Sequence, residues 1–473
     1  MNDLVGSYER LREIYRLYIE SAFPFRYPVL DAERRVLLGE PGILSQEPLI
    51  EPVPVYPSSQ YTLGGAAMAL GEGYEGLARL GEGLIPSGYS IYQHQWEALD
   101  AVINKKKDIV VTTGTGSGKT ECFLLPLLAS LAHESSNWSR VHNSPSSGRY
   151  WWRKKKSQRE PQWGHASRPH AVRALILYPL NALVEDQMRR LRMTLDSPAV
   201  HEWMDEERGG NRMLFGRYTG LTPVSGEPSK NNAPSKLRVA MKQADDAWEQ
   251  VERVLEQPGV DEEIRYHFAN IYGGEMWSRW DMQETPPDIL ITNYSMLNIM
   301  LMREIEAPIF ERTREWLEQD KENAFFLVVD ELHSYRGTSG TEIAYVLRLV
   351  LDRLGLSPDS EQLRIMATSA SLVEDSKSTQ FLGEFFGRND RFELIQGEQT
   401  PPKEGARFLL RPYRHAFSAF SASVQSDPLE TMTPANTDGP ETKSAAAALA
   451  ESLGAPITDT SESWRKGLGD ALA

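Results

Sequence analysis

Cysteine, long apolar runs and net positive charge are all scarce in this 473-residue sequence. Because Cys122 is the one cysteine, the chain can form neither an internal disulfide nor a four-cysteine zinc or iron–sulfur site, which fits a reducing cytoplasm. No apolar run approaches the roughly 20 residues that a membrane-crossing helix needs. The N-terminus mixes charged with apolar residues, unlike a secretory signal. Acids outnumber bases by 66 to 51, a net charge of -15, so any nucleic-acid binding must be local.

The sequence has instead an alternation of short apolar runs and helical stretches. This alternation predicts an α/β fold, a mostly parallel sheet with helices on both faces. The predicted strands are 108–112, 172–178, 213–217, 288–292, 325–329 and 363–368. Two segments, 133–170 and 225–285, interrupt the pattern and are predicted to be insertions, the second with a charged helix over 235–255.

These patterns predict three regions. Residues 1–88 form an N-terminal helical extension and a proline-rich connector, 89–395 a nucleotide-binding domain, and 396–473 a partly disordered tail, because the tail is rich in small and polar residues. In the first helix an apolar stripe that includes Leu11, Tyr15 and Tyr18 predicts packing on the core. A partner-binding helix is the alternative.

The strongest local motif is a strand, a glycine-rich turn and an apolar helix over 108–132, the context that a phosphate-binding loop requires. Glycines let successive backbone N–H groups surround a phosphate at the helix N-terminus. Lys119 is expected to contact the β- and γ-phosphates, and Thr120 to hold Mg²⁺. Thr113 stands where the usual pattern has glycine. The loop alone leaves the class of NTPase open.

A second acidic motif ends the apolar strand over 325–329, where Asp330 and Glu331 follow one another. At the carboxyl edge of a parallel sheet, Asp330 is placed to bind Mg²⁺ and Glu331 to orient an attacking water. A lone Asp-Glu pair is weak evidence, since strands often end in solvated acids, but the strand before it and the loop upstream strengthen the interpretation.

With further motifs in order over about 90–373, the sequence resembles superfamily-2 helicases of the DEAD/DEAH type, and so an α/β RecA-like P-loop NTPase lobe. The motifs are Tyr92-Gln-His-Gln95, Tyr178-Pro-Leu-Asn-Ala-Leu-Val-Glu-Asp-Gln187, Tyr218-Thr219-Gly220, Leu290-Ile-Thr-Asn-Tyr-Ser-Met-Leu297, Asp330-Glu-Leu-His333 and Thr368-Ser-Ala-Ser371. The residues of these motifs are most similar to those of bacterial helicases related to the MrfA and Lhr repair group and of helicases of phage-defence systems. That resemblance favours DNA over RNA as the substrate.

The resemblance implies ATP and Mg²⁺ as cofactors and a role for each motif residue. The implied catalytic residues are Lys119, Asp330, Glu331, His333 and Ser369. The implied nucleotide contacts are Tyr92, Gln95, Thr115, Gly116, Ser117, Gly118, Lys119 and Thr120, with Thr120 and Asp330 as the magnesium ligands. The implied strand contacts are Asn181, Arg189, Thr219, Gly220, Thr292 and Asn293, each of which has an ordinary turn or cap residue as its alternative.

One basic and aromatic cluster lies in the first insertion. Residues 138–173 hold nine Lys or Arg and one acid, a local charge of +8. Trp151 and Trp152 are candidates to stack on unpaired bases, with Lys154 and Lys155 following phosphates. A solvated loop is the equal alternative.

The motifs that a second RecA-like lobe would carry do not follow Ser371, so we expect this chain to need such a lobe in cis or in trans and to hydrolyse ATP slowly alone. Subunits of a repair or defence complex are further expected partners, and no membrane is. An ATP-gated scaffolding subunit and an RNA helicase are the alternative functions.

Overall fold

The protein is described from a computed structural model that covers residues 4–40, 42–46, 55–114, 116–141, 150–153, 159–179, 181–226, 233–335, 337–370, 372, 375–388, 391–398, 413–426, 444, 447–449 and 451–452. The chain divides into two compact units, Met1–Val53 with Pro401–Ala473, and Pro54–Thr400. Among the described residues no helix is long and apolar enough to cross a membrane.

The larger unit is built on a seven-stranded sheet whose paired strands all run parallel. Its strands are β3 (Asp108–Thr112), β4 (Ala174–Tyr178), β5 (Phe215–Tyr218), β6 (Ile289–Asn293), β7 (Phe325–Val329), β8 (Leu363–Thr368) and β9 (Phe392–Gln396), in the order β5-β6-β4-β7-β8-β3-β9. A short antiparallel pair, β1 (Ser58–Thr62) and β2 (Ser90–Tyr92), precedes it. The six predicted strands and the parallel sheet are confirmed.

Apolar residues fill both faces of this sheet. Along β3, Ile109 and Val111 belong to one hydrophobic cluster and Val110 to another, and successive residues of β4 alternate in the same way. Burial on both faces explains why the strands are continuous apolar runs rather than alternating ones.

The helices of this unit pack around the sheet or lie in the insertions. They are α3 (Leu63–Leu70), α4 (Gly76–Gly81), α5 (Gln93–Ile103), α6 (Lys119–Ser135), α7 (Asn181–Leu195), α8 (Pro198–Glu207), α9 (Ala233–Leu255), α10 (Arg279–Glu284), α11 (Tyr294–Met302), α12 (Ala307–Gln319), α13 (Gly337–Arg353) and α14 (Ser376–Phe386). The charged helix predicted over 235–255 is α9.

The two insertions are not independent polar loops, because their described parts pack on each other. Trp151 and Trp152 of the first share a hydrophobic cluster with Leu237, Met241 and Trp280 of the second. Trp152 Nε1 donates to the carboxylate of Asp245 on α9 at 2.9 Å. The alternative of a solvated loop is therefore wrong for residues 151–153.

The smaller unit contains the helices α1 (Leu4–Ala22), α2 (Pro28–Gly39) and α15 (Arg414–Ser426). Within this unit, Leu11, Tyr15 and Tyr18 of the apolar stripe of α1 are 67%, 52% and 61% exposed. Ion pairs stabilise the two N-terminal helices instead, such as Arg35 with Glu20 at 3.1 Å. The packing of this stripe on the core stays a prediction. Most of the tail predicted to be partly disordered lies outside the described residues.

Candidate functional site

The phosphate-binding loop lies between the end of β3 and the first residue of α6, Lys119. Gly116 and Gly118 adopt φ of 78° and 79°, a left-handed conformation that glycine adopts without steric cost. A Cβ on Gly118 would also overlap the Gln95 carboxamide nitrogen. Because Lys119 and Thr120 open the helix, its unpaired N–H groups and its dipole favour an anion at this point. Thr115 lies outside the described residues.

The unusual Thr113 has a structural explanation. Thr113 and Ser117 are both buried, and their hydroxyl groups contact each other across the loop. The glycine of the usual pattern cannot supply this contact. Threonine at position 113, where the usual pattern has glycine, therefore exchanges backbone flexibility for a side-chain hydrogen bond across the loop.

The segment around Gln95 reaches the same loop. Gln95 Oε1 accepts from the Tyr92 N–H at 2.9 Å, and Gln95 Nε2 donates to the Gly118 carbonyl at 3.4 Å. His94 Nε2 donates to the Ser117 carbonyl at 2.8 Å, and burial lowers the His94 pKa, so its ring is neutral at pH 7. Gln95 thus contacts the loop and holds Tyr92 next to it, while His94 is a loop contact that the sequence interpretation missed. The nucleotide contacts of Tyr92 and Gln95 stay predictions.

The acidic motif is held by a threonine of the neighbouring strand. The Thr368 hydroxyl donates to the Asp330 carboxylate and accepts from the Glu331 N–H at 3.1 Å. Burial raises the pKa of Asp330, while the Thr368 hydrogen bond and the charge of Lys119 act in the opposite direction. Glu331 has a φ of 53°, a strained conformation for a non-glycine residue that is common at functional sites.

His333 and Ser369 occupy different positions around this motif. His333 Nδ1 lies 3.1 Å from Glu331 Oε2. Ser369 is fully buried, and its N–H donates to the Val111 carbonyl of β3 at 2.9 Å. In the third motif, the residue that contacts Asp330 is therefore Thr368, which the sequence interpretation did not select, and Ser371 lies outside the described residues. Thr368 ends a predicted strand, and this position in the sequence was the signal that could have identified it as a partner of Asp330.

The donor set fits a magnesium-bound nucleotide. Asp330 and Thr120 offer hard oxygen atoms, and Mg²⁺ prefers few protein oxygens together with waters and substrate phosphates. Among the described residues no group of three metal-binding side chains occurs. The hydroxyls of Tyr178 and Tyr335 are buried without a hydrogen-bond partner, and burial followed by the charge of Asp330 raises the pKa of each.

Two of the predicted strand contacts are scaffold residues. Thr219 and Thr292 are 1% and 0% exposed. The Thr292 hydroxyl donates to the Tyr218 carbonyl at 2.7 Å, and the Thr219 hydroxyl accepts from the Leu221 N–H at 3.3 Å. Those hydroxyls bond the backbone at the ends of β5 and β6, and the strand contact of these two residues stays a prediction.

The remaining motif candidates are differently placed. Gly220 is exposed, with open space where a Cβ would lie. Asn293 caps α11, its Oδ1 accepting from the Met296 N–H at 2.9 Å. Arg189 pairs with Glu263 of the second insertion at 2.8 Å, an exposed contact worth at most about 1 kcal/mol. Asn181 begins α7, and its side chain is outside what the structure describes.

The basic and aromatic cluster is not a free strand-binding surface. Trp151 and Trp152 are 3% and 5% exposed, so the prediction that they stack on bases is wrong for this conformation. Arg153 donates to Asp245 at 2.5 Å and to Glu249 at 2.9 Å. Lys154 and Lys155 lie outside the described residues.

Other arginines of the same segment are neutralised as well. The pairs are Arg159 with Asp281 at 2.6 Å, Arg168 with Asp288 at 2.6 Å and Arg173 with Glu134 at 2.5 Å. The charge of +8 counted over residues 138–173 therefore exceeds the net positive charge that these described arginines expose to solvent.

Comparison with known proteins is consistent with this geometry. Residues 92–213 match the family model of the DEAD/DEAH box helicase. The Druantia protein DruE of Escherichia coli is 34% identical over 435 residues, which covers 83% of this chain and 22% of that protein. The uncharacterized ATP-dependent helicase YprA of Bacillus subtilis is 24% identical over 258 residues, 54% of this chain and 20% of that protein. This chain thus spans about a fifth of the length of both relatives.

Among solved structures, the DUF1998 helicase MrfA bound to DNA is similar at 21% identity and a TM-score of 0.37. That similarity covers 68% of this chain and 30% of the other.

Proposed function

Because this chain carries a DEAD/DEAH box helicase domain, we propose that it is the ATP-binding and ATP-hydrolysing motor lobe of a helicase or translocase. The observation that carries the proposal is a juxtaposition at one sheet edge. β7, β8 and β3 are neighbours, so Asp330, Thr368 and the phosphate-binding loop meet where parallel strands end, the usual place for a ligand.

Each residue has a role that its position supports. Lys119 and the loop amides hold the phosphates. Thr120 and Asp330 would hold Mg²⁺, which would supply charge neutralisation at the phosphates when bound. Glu331 orients the attacking water, and its backbone is fixed for that task by the Thr368 hydroxyl. The Thr368 hydrogen bond also opposes the rise that burial causes in the pKa of Asp330.

We further propose that activity requires a second lobe, in cis or in trans. In helicases of this class a second lobe supplies an arginine that is worth about 10³–10⁵ in turnover. We therefore propose that this chain alone binds Mg·ATP, hydrolyses it slowly and does not unwind duplexes. The residues of the motifs support DNA as the proposed substrate. A repair or defence complex is the proposed setting, which the similarity to a Druantia protein supports.

Binding of a fluorescent ATP analogue to the purified chain tests the nucleotide site. Lys119→Ala removes a charged hydrogen-bond donor worth about 1.5–3 kcal/mol, so Kd is expected to rise about 10- to 100-fold. Lys107→Ala, an exposed lysine just before β3, is the matched control and should bind like the wild type. Equal affinities of the two variants would overturn the proposal.

A further inference from the structure

Helix α7 is attached to several separate parts of the larger unit through charged side chains. Its sequence Arg189-Arg-Leu-Arg192 places arginines at different angles around the helix axis. Arg189 and Arg192 contact the second insertion, and Arg190 contacts α6, the helix of the phosphate-binding loop. Helix α7 begins at Asn181, in a motif that is expected to contact the nucleic-acid strand. The position of α7 is therefore expected to affect both strand binding and nucleotide binding.

The attachment to the insertion is buried. Arg192 donates from Nε and Nη2 to the two carboxylate oxygens of Glu275 at 2.7 and 2.9 Å. The two side chains are 4% and 5% exposed. Just past the helix, Asp196 Oδ1 accepts from the Gly274 N–H at 2.7 Å. Bidentate buried pairs fix geometry closely, so these contacts hold the second insertion in a defined position against α7.

The attachment to the phosphate-binding loop is a single ion pair. Arg190 Nη1 lies 2.6 Å from Glu121 Oε1, and Arg190 Nε lies 3.1 Å from Asp186 Oδ2 on its own helix. Glu121 directly follows Thr120, and its other oxygen, Oε2, is 3.1 Å from the place a Cβ on Gly118 would occupy. A carboxylate thus lies against the loop that must receive phosphates.

Arg190 neutralises the negative charge of Glu121 beside the loop. An uncompensated carboxylate beside the loop would repel nucleotide phosphates, and the repulsion is strong where water is partly excluded. The Glu121 side chain is 12% exposed, so solvent screens it little. Arg190 cancels this charge only while α7 lies in its observed position.

We propose that Arg190 is a positioning residue of the nucleotide site, which neutralises Glu121 and thereby makes ATP affinity depend on the position of α7. This inference rests on the proposed function, since it assumes that the loop receives ATP. It assigns Arg190 no contact with the reacting atoms.

The test measures the Kd of a fluorescent ATP analogue with Mg²⁺ for the full chain and four variants. Arg190→Gln leaves Glu121 uncompensated and is expected to weaken binding about tenfold, or about 1.4 kcal/mol. Arg190→Lys keeps the charge and should retain most of the affinity. Glu121→Gln, and the double variant Arg190→Gln with Glu121→Gln, remove the repulsion and should bind within about twofold of wild type.

The rescue by the double variant separates electrostatic positioning from a general loss of structure, which a second substitution would not repair. Arg212→Gln, which breaks a surface pair with Asp205 at 2.7 Å, is the control and should leave Kd unchanged. The inference is overturned if Arg190→Gln binds like wild type, or if the double variant stays as weak as Arg190→Gln. Failure of the wild type itself to bind the analogue would instead refute the proposed function, and this inference with it.

Discussion

Replacing Thr368 by valine tests how the acidic motif is kept in its active charge state. Valine has nearly the same shape but cannot donate to Asp330 or accept from the Glu331 N–H. A hydrogen bond to a charged group contributes about 1.5–3 kcal/mol. Because burial already raises the pKa of Asp330 and the Thr368 hydrogen bond opposes that effect, losing this bond should raise the pKa of Asp330 further.

The assay is the pH dependence of Mg²⁺-dependent nucleotide binding. Mg²⁺ needs the ionised carboxylate, so binding is lost as the pH falls through the pKa of Asp330. Thr368→Val should move this midpoint to higher pH, whereas Thr368→Ser, which keeps the hydroxyl, should not. The reasoning is refuted if both variants share the wild-type midpoint.

Three further predictions address the loop, the insertions and acid stability. Gly118→Ala should abolish nucleotide binding, since its φ is 79° and its Cβ overlaps Gln95, while Gly220→Ala, with open space around it, should bind normally in the same titration. Trp151→Ala should cost about 3–5 kcal/mol in urea unfolding without lowering single-strand affinity; a loss of affinity in a folded variant would restore the stacking hypothesis. Burial, then the charge of Arg168, lowers the pKa of His170 to about 4, so stability should be full above about pH 6.5 and fall toward pH 4. His170→Asn should flatten that part of the curve, and an unaltered curve would contradict the assignment.

Much of the sheet could be predicted from the sequence because its central strands are buried on both faces. The run over 325–329 has no polar residue, and its bounds match β7. The strand β9 was missed because it lies at the sheet edge, where Phe392 and Leu394 are only half-buried and Glu393 stands between them. An edge strand has less apolar pattern to detect.

The nucleotide site was partly predictable for a related reason. Loop glycines and strand-end acids are constrained by local backbone chemistry, which a short motif records. The partners of those residues are not local: Thr368 and Asp330 are 38 residues apart, and Trp152 and Asp245 are 93 apart. Charge counting failed for the first insertion because the acids that neutralise its arginines come from elsewhere in the chain.

The central claim is that Asp330 and Glu331 face a hydrolysable nucleotide held by the loop. Single-turnover ATP hydrolysis by Glu331→Gln, with single-stranded DNA present, tests it most directly. Loss of the water-orienting group should slow hydrolysis about 10²–10⁴-fold while the Kd for ATP stays near that of the wild type, and the exposed control Glu311→Gln should behave as wild type. Hydrolysis by Glu331→Gln at the wild-type rate would contradict the account.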